Sequence, residues 1–579
     1  MSIVAKIQES VVKAVDALYG ASVSAESVTL TPTRKEFEGD YTVVVFPYTK
    51  AAKKGPAVIG EEMGAYLEKH VPEISAFNVI QGFLNLSLSA DYWTGFLQDN
   101  MGNDAYGFHG KTGKKIMVEF SSPNTNKPLH LGHIRNILLG WSCSQILEAA
   151  GHDVIKVQII NDRGIAICKS MLAWQKFGEG KTPENSGEKG DHLVGDFYVE
   201  FEKRFQEEYK AWQATSEANA VYEAQKKEDQ DQEEFFKKYK QKYFNEYSKL
   251  GAEARDMLLE WEAGKKEVVD LWKQMNGWVY EGFDETYEKL GVSFDQLYYE
   301  SETYLLGKEM VEKGLQTGTF YQKEDSSVWC DLTDAKLDQK IVLRSDGTSV
   351  YITQDIGTAH KRYEEYGADG MVYVVADEQN YHFQVLFEIL KRLDEPYADN
   401  LHHLSYGMVD LPTGKMKSRE GTVVDADDLI AEVVAEAKKA ASERGEIVEI
   451  SQAEQEENIF KIGMAALKYY IIKVSPKKRM TFNPAESVDL QGQTGPYVQN
   501  AYVRIKSVLR KALADQVDWA QQKGYNDLKP GEKELLSQLF QYPDTIKEAA
   551  DNYDPSTIAN YAYSLAKEYH KFYHDHSIL

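Results

Sequence analysis

The chain has 579 residues, and 66 Lys and Arg face 91 Asp and Glu, which gives a formal net charge of −25. Hydrophobic residues make up 42% and charged residues 27% of the sequence, a globular composition that excludes disordered and collagen-like proteins. A hydrophobic core stops growing at roughly 250–300 residues, so the length predicts several domains. The acidic balance by itself argues against a nucleic-acid partner, because nucleic acids favour basic surfaces.

The three cysteines, Cys143, Cys168 and Cys330, are widely spaced and form no C-x-x-C pair. This spacing argues against a disulfide framework and against a structural zinc site. The sequence has no run of about 18 apolar residues, and charges interrupt the opening segment where a signal peptide would have its apolar core. We therefore expect a cytoplasmic protein with no membrane partner.

Residues 1–113 predict a small α+β domain. Its first 20 residues carry apolar side chains at helical spacing, and the segments 41–48 and 82–89 have the composition and alternation of strands. A stretch rich in Gly and Lys at 109–115 follows and predicts a linker.

Residues 114–453 predict a Rossmann-like α/β domain with a doubly wound parallel sheet. A strand at 116–120, a loop, a helix that Gly151 ends and a buried-type strand at 153–160 form one βαβ unit. A second such region begins near residue 350.

Two further regions are predicted to be helical. An insertion at about 177–290, in which acidic and basic residues nearly balance, predicts solvent-facing helices with some mobile linker. Residues 454–579 carry apolar side chains at three- and four-residue spacing throughout, which predicts an all-α bundle domain.

The segment His130-Leu131-Gly132-His133 stands where the loop of the first βαβ unit enters its helix. Two histidines three residues apart share one face, and free backbone N–H groups at a helix start favour phosphate. Gly132 lets a ligand approach the backbone. A coincidental surface pair and a zinc site are the alternatives, although zinc would need a third ligand and the Glu of H-E-x-x-H.

A second cluster, Lys415-Met416-Lys417-Ser418-Arg419, lies between Gly414 and Gly421. Cations on a glycine-flanked loop suit a polyphosphate clamp, and a solvated charge run is the ordinary alternative. Together with the H-x-G-H segment about 285 residues upstream, this cluster resembles the signature pair of class I aminoacyl-tRNA synthetases.

Further segments, in chain order, resemble the arginyl-tRNA synthetase family over essentially the whole length. They are EFSSPN at 119–124 followed by Lys127-Pro128, FD at 294–295, ES at 300–301, SDG at 345–347, YITQDIG at 351–357, TGPYVQ at 494–499 and AYVR at 501–504. Each segment alone could arise by chance, but the ordered set is specific.

The resemblance implies an arginine–tRNA ligase that activates L-arginine with ATP and Mg²⁺ and then transfers the arginine to the terminal adenosine of tRNA(Arg). The residues that it implies for the α-amino and α-carboxylate groups of arginine are Glu119, Ser122, Asn124, His133 and Gln379. The guanidinium would be read by Glu300, Tyr351 and Asp355, which agrees with the need of a planar five-donor fork for carboxylate acceptors.

The same resemblance implies which residues stabilise charge on the ATP phosphates. The catalytic set is Lys127, His130, His133, Lys415, Lys417 and Arg419, and Gly132, Met416 and Ser418 complete the ATP contacts. No protein-ligated metal is expected.

Two departures from the family pattern stand out. Ser418 occupies the position of the second lysine of the family-wide class I loop, and we expect Lys127 to supply the missing charge. Asn161-Asp162-Arg163-Gly164 stands where the family commonly has Asp-Trp-Gly, and the sequence offers no physical account of that change.

The flanking domains resemble the tRNA-binding parts of the family. Phe83 could stack on an unpaired base of the tRNA corner and Asn85 could bond to its edge, whereas a core position is the alternative for Phe83. In the bundle, the residues assigned to anticodon contacts are Tyr497, Gln499, Tyr502 and Arg504, with a core role as the alternative for the tyrosines.

Residues 473–511 hold eight Lys and Arg against two acids, a local charge of +6 that offsets the global argument against nucleic acid. Family members usually continue beyond the position of Leu579, so a truncated bundle is expected, and a monomer is expected. Two rival functions remain: a non-catalytic tRNA-binding paralogue, and another H-x-G-H nucleotidyltransferase.

Overall fold

The computed structural model describes residues 3–34, 36–412, 424–443, 450–517 and 528–578. The chain divides into two compact units. One comprises residues 1–108, 501–545 and 564–579, and the other comprises residues 109–500 and 546–563. The C-terminal helices therefore contribute segments to both units.

The N-terminal part of the first unit is an antiparallel sheet with helices. Its elements are α1 Ile3–Tyr19, β1 Leu30–Pro32, β2 Tyr41–Val44, α2 Thr49–Ala52, α3 Pro56–His70, β3 Ile74–Ile80, β4 Phe83–Leu88 and α4 Ala90–Asn100. The strand order is β1-β2-β4-β3. Apolar residues on one face of α1, such as Ile7 and Val11, are buried against Leu84 and Leu86 in one core cluster, as the helical and alternating spacings predict.

The second unit contains a parallel sheet and the helices around it. Its first elements are β5 Lys115–Glu119, α5 Leu131–Ala149, β6 Asp153–Ile160, α6 Ile165–Phe177, α7 Pro183–Ser186, α8 Gly190–Gln213, α9 Ser216–Gln225, α10 Gln232–Glu246, α11 Lys249–Glu262 and α12 Lys266–Leu290. They are followed by β7 Gln296–Tyr299, α13 Glu300–Thr303, α14 Lys308–Thr317, β8 Phe320–Gln322, β9 Val328–Cys330, β10 Lys340–Leu343, α15 Tyr351–Tyr366, β11 Gly370–Ala376, α16 Asn380–Arg392, β12 Leu401–Tyr406 and β13 Val409–Asp410.

The five-stranded sheet has the order β12-β11-β5-β6-β7, and every neighbouring pair is parallel. The chain builds from β5 outwards to β7 and then returns to add β11 and β12 on the other side. The order therefore reverses between β5 and β11. In open α/β sheets, ligands bind beyond the carboxyl ends of the strands at such a switch point.

The insertion is helical, as predicted, but it does not simply face solvent. Phe201, Phe205, Tyr209, Trp212 and Tyr243 are all buried, and their rings contact one another. The expectation of solvent-facing helices was therefore wrong for one face of α8 and α10. Charge balance indicated the polar faces of these helices, whereas the aromatic residues between the charges form a packed cluster.

The C-terminal elements are α17 Ala426–Glu443, α18 Gln452–Ile472, β14 Met480–Thr481, α19 Pro484–Ser487, α20 Gly495–Ala514, α21 Pro530–Phe540, α22 Tyr542–Asp551 and α23 Pro555–Asp575. The described residues after 494 are helical where the apolar spacing predicts, and the stretch predicted at 532–550 is divided into α21 and α22. In the described part of the chain, no helix combines the length and apolar character needed to cross a membrane.

Candidate active site

The carboxyl ends of the central strands bring most of the predicted arginine-binding residues to one edge of the sheet. Glu119 is the last residue of β5, Glu300 follows β7 directly, and Gln379 lies three residues after β11. Asn124 forms an isolated bridge with Asn161, which follows β6. Residues that are far apart in the sequence therefore lie at the same edge of the sheet, because the carboxyl ends of parallel strands are on one side.

The histidine pair caps the helix that begins beside this edge. His133 Nδ1 accepts the backbone N–H of His130 at 3.1 Å, and His130 Nδ1 accepts the backbone N–H of Gly132 at 3.1 Å. The two rings stack with centroids 3.8 Å apart. Because each Nδ1 is an acceptor, the proton of each neutral ring lies on Nε2, which is left as a donor.

The environment of the pair keeps both rings neutral. Burial, assisted by the positive charge of Lys127, lowers the pKa of His130 to about 4. Burial, His130 and Lys127 lower the pKa of His133 well below its ordinary value. The histidines are therefore neutral N–H donors near pH 7 rather than cations.

Lys127 is the cation beside the histidines. Its side chain is partly buried, burial lowers the pKa of its ammonium group, and no acid among the described residues offsets this shift. A desolvated ammonium group without a counter-ion is poised to accept an anionic ligand. A cleft of about 940 Å³ opens beside Lys127 and His130 towards α8 and α10.

The basic cluster, Lys415, Met416, Lys417, Ser418 and Arg419, lies outside the described residues.

The first described residues after the cluster form hydrogen bonds with the histidine motif. Leu131 N–H donates to Val424 O at 3.2 Å, and Ala426 N–H donates to Leu129 O at 2.9 Å.

On the approach to the cluster, the buried guanidinium of Arg135 donates to the carbonyl oxygens of Gly407 and Met408, and to those of Pro476 and Lys478. Helix α5 therefore anchors the described chain on both sides of the basic cluster.

The predicted guanidinium-binding acids lie in one electrostatic group. Glu300 is partly buried, and its pKa is raised by burial, with further upward contributions from Asp162 and Asp355 and a downward one from Arg163. Asp355 Oδ2 lies at hydrogen-bond distance, 2.7 Å, from His382 Nε2. A bound cation would relieve the repulsion within this group.

Tyr351 is 77% exposed at the start of α15. Gln379 and Asn124 are also exposed, whereas Ser122 is partly buried. The structure therefore leaves three of the predicted polar contacts open to a ligand.

Glu119 already has a partner that the sequence did not reveal. Its carboxylate forms an ion pair with Arg362, whose side chain is buried and lies over the ring of Tyr298. Two nitrogens of Arg362, Nε and Nη2, are buried without another hydrogen-bond partner. The Glu119 carboxylate can still accept a hydrogen bond from a ligand ammonium group, and Arg362 orients this carboxylate. Glu119 lies in β5 and Arg362 in α15, so only the fold brings the two residues together.

Asp162 and Arg163 stand where the family pattern has Asp-Trp. Asp162 is buried and accepts hydrogen bonds from Ser301 and Tyr280. The Arg163 guanidinium lies 3.8 Å from the ring centroid of Tyr304 and pairs with Glu262 at 2.6 Å. The guanidinium of Arg163 is thus held by a stacking contact and an ion pair at the position where the family pattern has tryptophan.

Three potential metal ligands, Asp191, His192 and Asp427, converge near the cleft. Lys189 bonds to both carboxylates. Ion-pair contacts of its Nε2 with Asp425 at 3.3 Å and with Asp427 at 3.4 Å raise the pKa of His192 to about 10. A protonated His192 and a bridging lysine already neutralise the acids, so this cluster is an ion-pair network rather than a vacant cation site.

The predicted tRNA-corner residues differ in exposure. Phe83 is 41% exposed and stands edge-on to the equally exposed Phe46, with ring centroids 5.4 Å apart. Phe83 is thus not a core residue. Asn85 is 1% exposed, accepts a hydrogen bond from Thr42 at 2.6 Å and donates one to Asn78 at 2.9 Å. A base contact by Asn85 would require these bonds to be exchanged.

The predicted anticodon residues also differ. Tyr497 contacts the ring of Tyr563, and Gln499 donates to the carbonyl of Lys461 at 3.3 Å. Tyr502 is 60% exposed.

Arg504 lies over the ring of Tyr573 and contacts His570 Nδ1 at 3.0 Å. Tyr502 is therefore the candidate whose ring is most open to a base.

Comparison with known proteins extends this picture to the whole chain. The family model described as tRNA synthetases class I (R), catalytic domain, matches residues 97–229 and 212–483. The model of the arginyl tRNA synthetase N terminal domain matches residues 5–88, and that of the DALR anticodon binding domain matches residues 498–579.

Curated proteins from Phocaeicola vulgatus and Parabacteroides distasonis, each named arginine–tRNA ligase, are 50% identical to this chain. Each alignment covers 100% of this chain and 94% of the relative.

Solved structures have the same fold. The Thermus thermophilus arginyl-tRNA synthetase aligns with a TM-score of 0.74 at 22% identity, over 99% of this chain and 92% of that chain. The Plasmodium falciparum enzyme aligns with a TM-score of 0.71 at 17% identity, over 100% and 93%. With the catalytic-domain model and the full-length relatives, these matches show that the chain belongs to the arginyl-tRNA synthetase family.

Proposed function

We infer that this chain is an arginine–tRNA ligase, which uses ATP to join L-arginine to tRNA(Arg). The observation that carries this function is the 50% identity to curated arginine–tRNA ligases over the full length of the chain. The neutral histidine pair and the uncompensated Lys127 at the switch point support it, because they present donors and positive charge to a phosphate.

In the first step, an oxygen of the arginine α-carboxylate attacks the α-phosphorus of ATP. The new carboxyl–phosphate bond forms as the bond to the β-phosphate breaks, so arginyl-adenylate and pyrophosphate result. The Nε2–H groups of His130 and His133 donate to the phosphate oxygens as negative charge moves onto them. Lys127 neutralises part of that charge, in the role that the second lysine of the class I loop has elsewhere.

Lys415, Lys417 and Arg419 complete the positive charge on the phosphates, with Gly132, Met416 and Ser418 as neighbouring ATP contacts. Mg²⁺ bound with ATP would supply further positive charge to the phosphates. The reaction is in-line displacement, so catalysis consists of positioning and electrostatic stabilisation and needs no covalent enzyme intermediate.

The guanidinium of arginine is read by Glu300 and Asp355, with Tyr351 as a third contact. The raised pKa of Glu300 beside Asp162 and Asp355 supports this role, because acids crowded in a partly buried site favour a cationic ligand. Lysine lacks the planar fork, and a neutral analogue would leave buried acceptors unpaired, which is worth about 10⁴–10⁵ in selectivity.

The α-amino and α-carboxylate groups of arginine are held by Glu119, Ser122, Asn124, His133 and Gln379. Their convergence at one sheet edge supports the assignment. In this arrangement, Glu119 shares its carboxylate between Arg362 and the substrate ammonium.

In the second step, the 2′-hydroxyl of the terminal adenosine of tRNA(Arg) attacks the activated carbonyl, and AMP leaves. Phe83 stacks on a base at the tRNA corner, and Asn85 bonds to the edge of that base in exchange for its bonds to Thr42 and Asn78. Tyr497, Gln499, Tyr502 and Arg504 serve the anticodon. We also propose that the enzyme acts as a monomer in the cytoplasm, where its three buried, free cysteines stay reduced.

The test is ATP–pyrophosphate exchange with arginine, with and without tRNA(Arg). We expect exchange that requires arginine and increases when tRNA(Arg) is present. Exchange driven by a different amino acid would favour another nucleotidyltransferase, and absence of exchange even with tRNA(Arg) would favour a non-catalytic tRNA-binding paralogue.

A further inference from the structure

We propose that Asn136 is a positioning residue for arginine binding, because its side chain holds the loop after β5 in a left-handed turn at Ser121. This inference rests on the proposed function, in which Ser122 and Asn124 of that loop contact the amino acid. Asn136 itself lies in α5, one helical turn beyond His133, and does not belong to the predicted site.

Ser121 has a backbone conformation that its side chain disfavours. Its φ is +59°, and its residue surface is fully buried. The left-handed region is unfavourable for a residue with a Cβ atom, and such a conformation persists only where its surroundings hold it. The strained residue stands between Glu119, at the end of β5, and Ser122.

The side chain of Asn136 supplies the main restraint on this turn. Its Oδ1 accepts the backbone N–H of Ser121 at 2.6 Å. Its Nδ2 donates to the carbonyl of Val374 in β11 at 2.6 Å and to the hydroxyl of Tyr406 in β12 at 3.1 Å. The amide is thus fully used, and it ties the loop to both strands on the far side of the switch point.

A second restraint acts on the side chain of Ser121. Its Oγ hydrogen-bonds to the hydroxyl of Tyr287 at 2.7 Å, and this hydroxyl accepts a hydrogen bond from Gln158 at 2.5 Å. The network is buried, so each lost partner leaves a polar group without water to replace it.

The far end of the loop is tied separately. The backbone N–H of Asn161 donates to Pro123 O at 2.9 Å, and Thr125 N–H donates to Asn161 O at 3.1 Å. With both ends fixed, a change of φ at Ser121 must be absorbed by the segment 122–124. The directions of the Ser122 and Asn124 side chains therefore depend on the bond between Ser121 and Asn136.

The experiment measures ATP–pyrophosphate exchange of the full chain with saturating tRNA(Arg), and it determines KM for arginine and KM for ATP separately. Asn136→Ala is expected to raise KM for arginine about tenfold, the usual effect of one lost buried hydrogen bond to a functional loop. KM for ATP should stay within about twofold, because His130 and His133 keep their own backbone bonds.

The matched control is Ser144→Ala. Ser144 is also fully buried in α5, but its hydroxyl bonds only to Gly140 O within the helix, at 2.9 Å, in the hydrogen bonds described. We expect both KM values of this variant to match those of the original chain. Equal changes in the two variants would mean that any buried polar loss in α5 has this effect, and would overturn the proposal.

A second variant tests the turn itself. Glycine adopts positive φ without penalty, but Ser121→Gly also removes the Oγ bond to Tyr287. If Asn136→Ala does not fold, its combination with Ser121→Gly is expected to restore folding, whereas KM for arginine should stay raised because both restraints on the turn are lost. A KM for arginine equal to that of the original chain in this double variant would overturn the proposal.

The proposal is also overturned if Asn136→Ala folds and both KM values are unchanged while the original chain is active with arginine. If the original chain itself shows no arginine-dependent exchange, the proposed function fails, and this inference fails with it. The two failures are thus distinguished by the unmodified protein.

Discussion

The buried carboxylate of Asp162 accepts two hydrogen bonds from Ser301, one from its backbone N–H at 2.8 Å and one from its hydroxyl at 2.7 Å. Ser301 directly follows Glu300, so this pair fixes the first turn of α13 and the direction of the Glu300 side chain. Tyr280 donates to the same carboxylate at 3.0 Å.

The first prediction is that Asp162→Asn raises KM for arginine about tenfold, because a neutral amide holds Ser301 and Tyr280 by weaker hydrogen bonds than a carboxylate does. KM for ATP should change little. Both values can be measured by ATP–pyrophosphate exchange with tRNA(Arg) present. Ser301→Ala should raise KM for arginine less, because the hydrogen bond from the backbone N–H of residue 301 to Asp162 remains. An unchanged KM for arginine in Asp162→Asn would show that Glu300 needs no such support.

The second prediction separates the capping and catalytic roles of His133. Asn can place an acceptor where Nδ1 lies, whereas Gln can place a donor where Nε2 lies. His133→Asn should therefore keep the thermal midpoint but lower adenylate formation about 10²–10³-fold, the usual loss of one transition-state donor. His133→Gln should retain more activity and lose more stability. The reverse order would assign the Nδ1 bond, not the Nε2 donor, to catalysis.

The third prediction concerns Lys127. Lys127→Met should lower adenylate formation at least tenfold, while the thermal midpoint stays equal or rises, because a partly buried cation without a counter-ion is removed. Lys169→Met is the contrast in the same cleft, since Lys169 is paired with Glu202 at 2.7 Å. It should lose stability and keep its exchange rate. Nearly normal adenylate formation in Lys127→Met would refute the substitution of Lys127 for the missing loop lysine.

The fourth prediction concerns pH. The pKa of His192 is raised to about 10 by its ion pairs with Asp425 and Asp427. The stabilisation from these ion pairs is complete below the ordinary pKa of 6.5 and is lost as the pH rises towards 10. His192→Gln should therefore lower the thermal midpoint at pH 6–7, by an amount equivalent to about 1 kcal/mol, and should have little effect near pH 10. A difference that is constant across this range would exclude a charged His192.

The fifth prediction concerns the N-terminal domain. Phe83→Ala should raise KM for tRNA(Arg) in aminoacylation about tenfold, since stacking on one base is worth about 1–3 kcal/mol. Phe37→Ala is the matched control, because Phe37 has a similar exposure of 38% in the same domain. Equal effects of both changes would mean that general surface loss, rather than stacking, weakens tRNA binding.

The sequence by itself determined the order of the elements, the position of the histidine pair at a strand-to-helix junction and the family. These features are local: periodicity reports which face of an element is buried, and motifs report residues that are neighbours in the chain. The aromatic core of the insertion was missed because charge balance describes the polar face alone. The order of the strands and the edge where Glu119, Glu300 and Gln379 meet needed the sheet itself.

Only the tertiary structure decided the chemical state of the residues at that edge. Glu119 forms an ion pair with Arg362, and Asp162 accepts hydrogen bonds from Ser301. Asn85 is buried whereas Phe83 is exposed, and Nε2 is the hydrogen-bond donor of both His130 and His133. Protonation and hydrogen bonding depend on burial and on partners from distant segments, and one sequence without its fold cannot specify either. The sequence specifies which functional groups are present, and packing determines which of them remain available to bind a ligand.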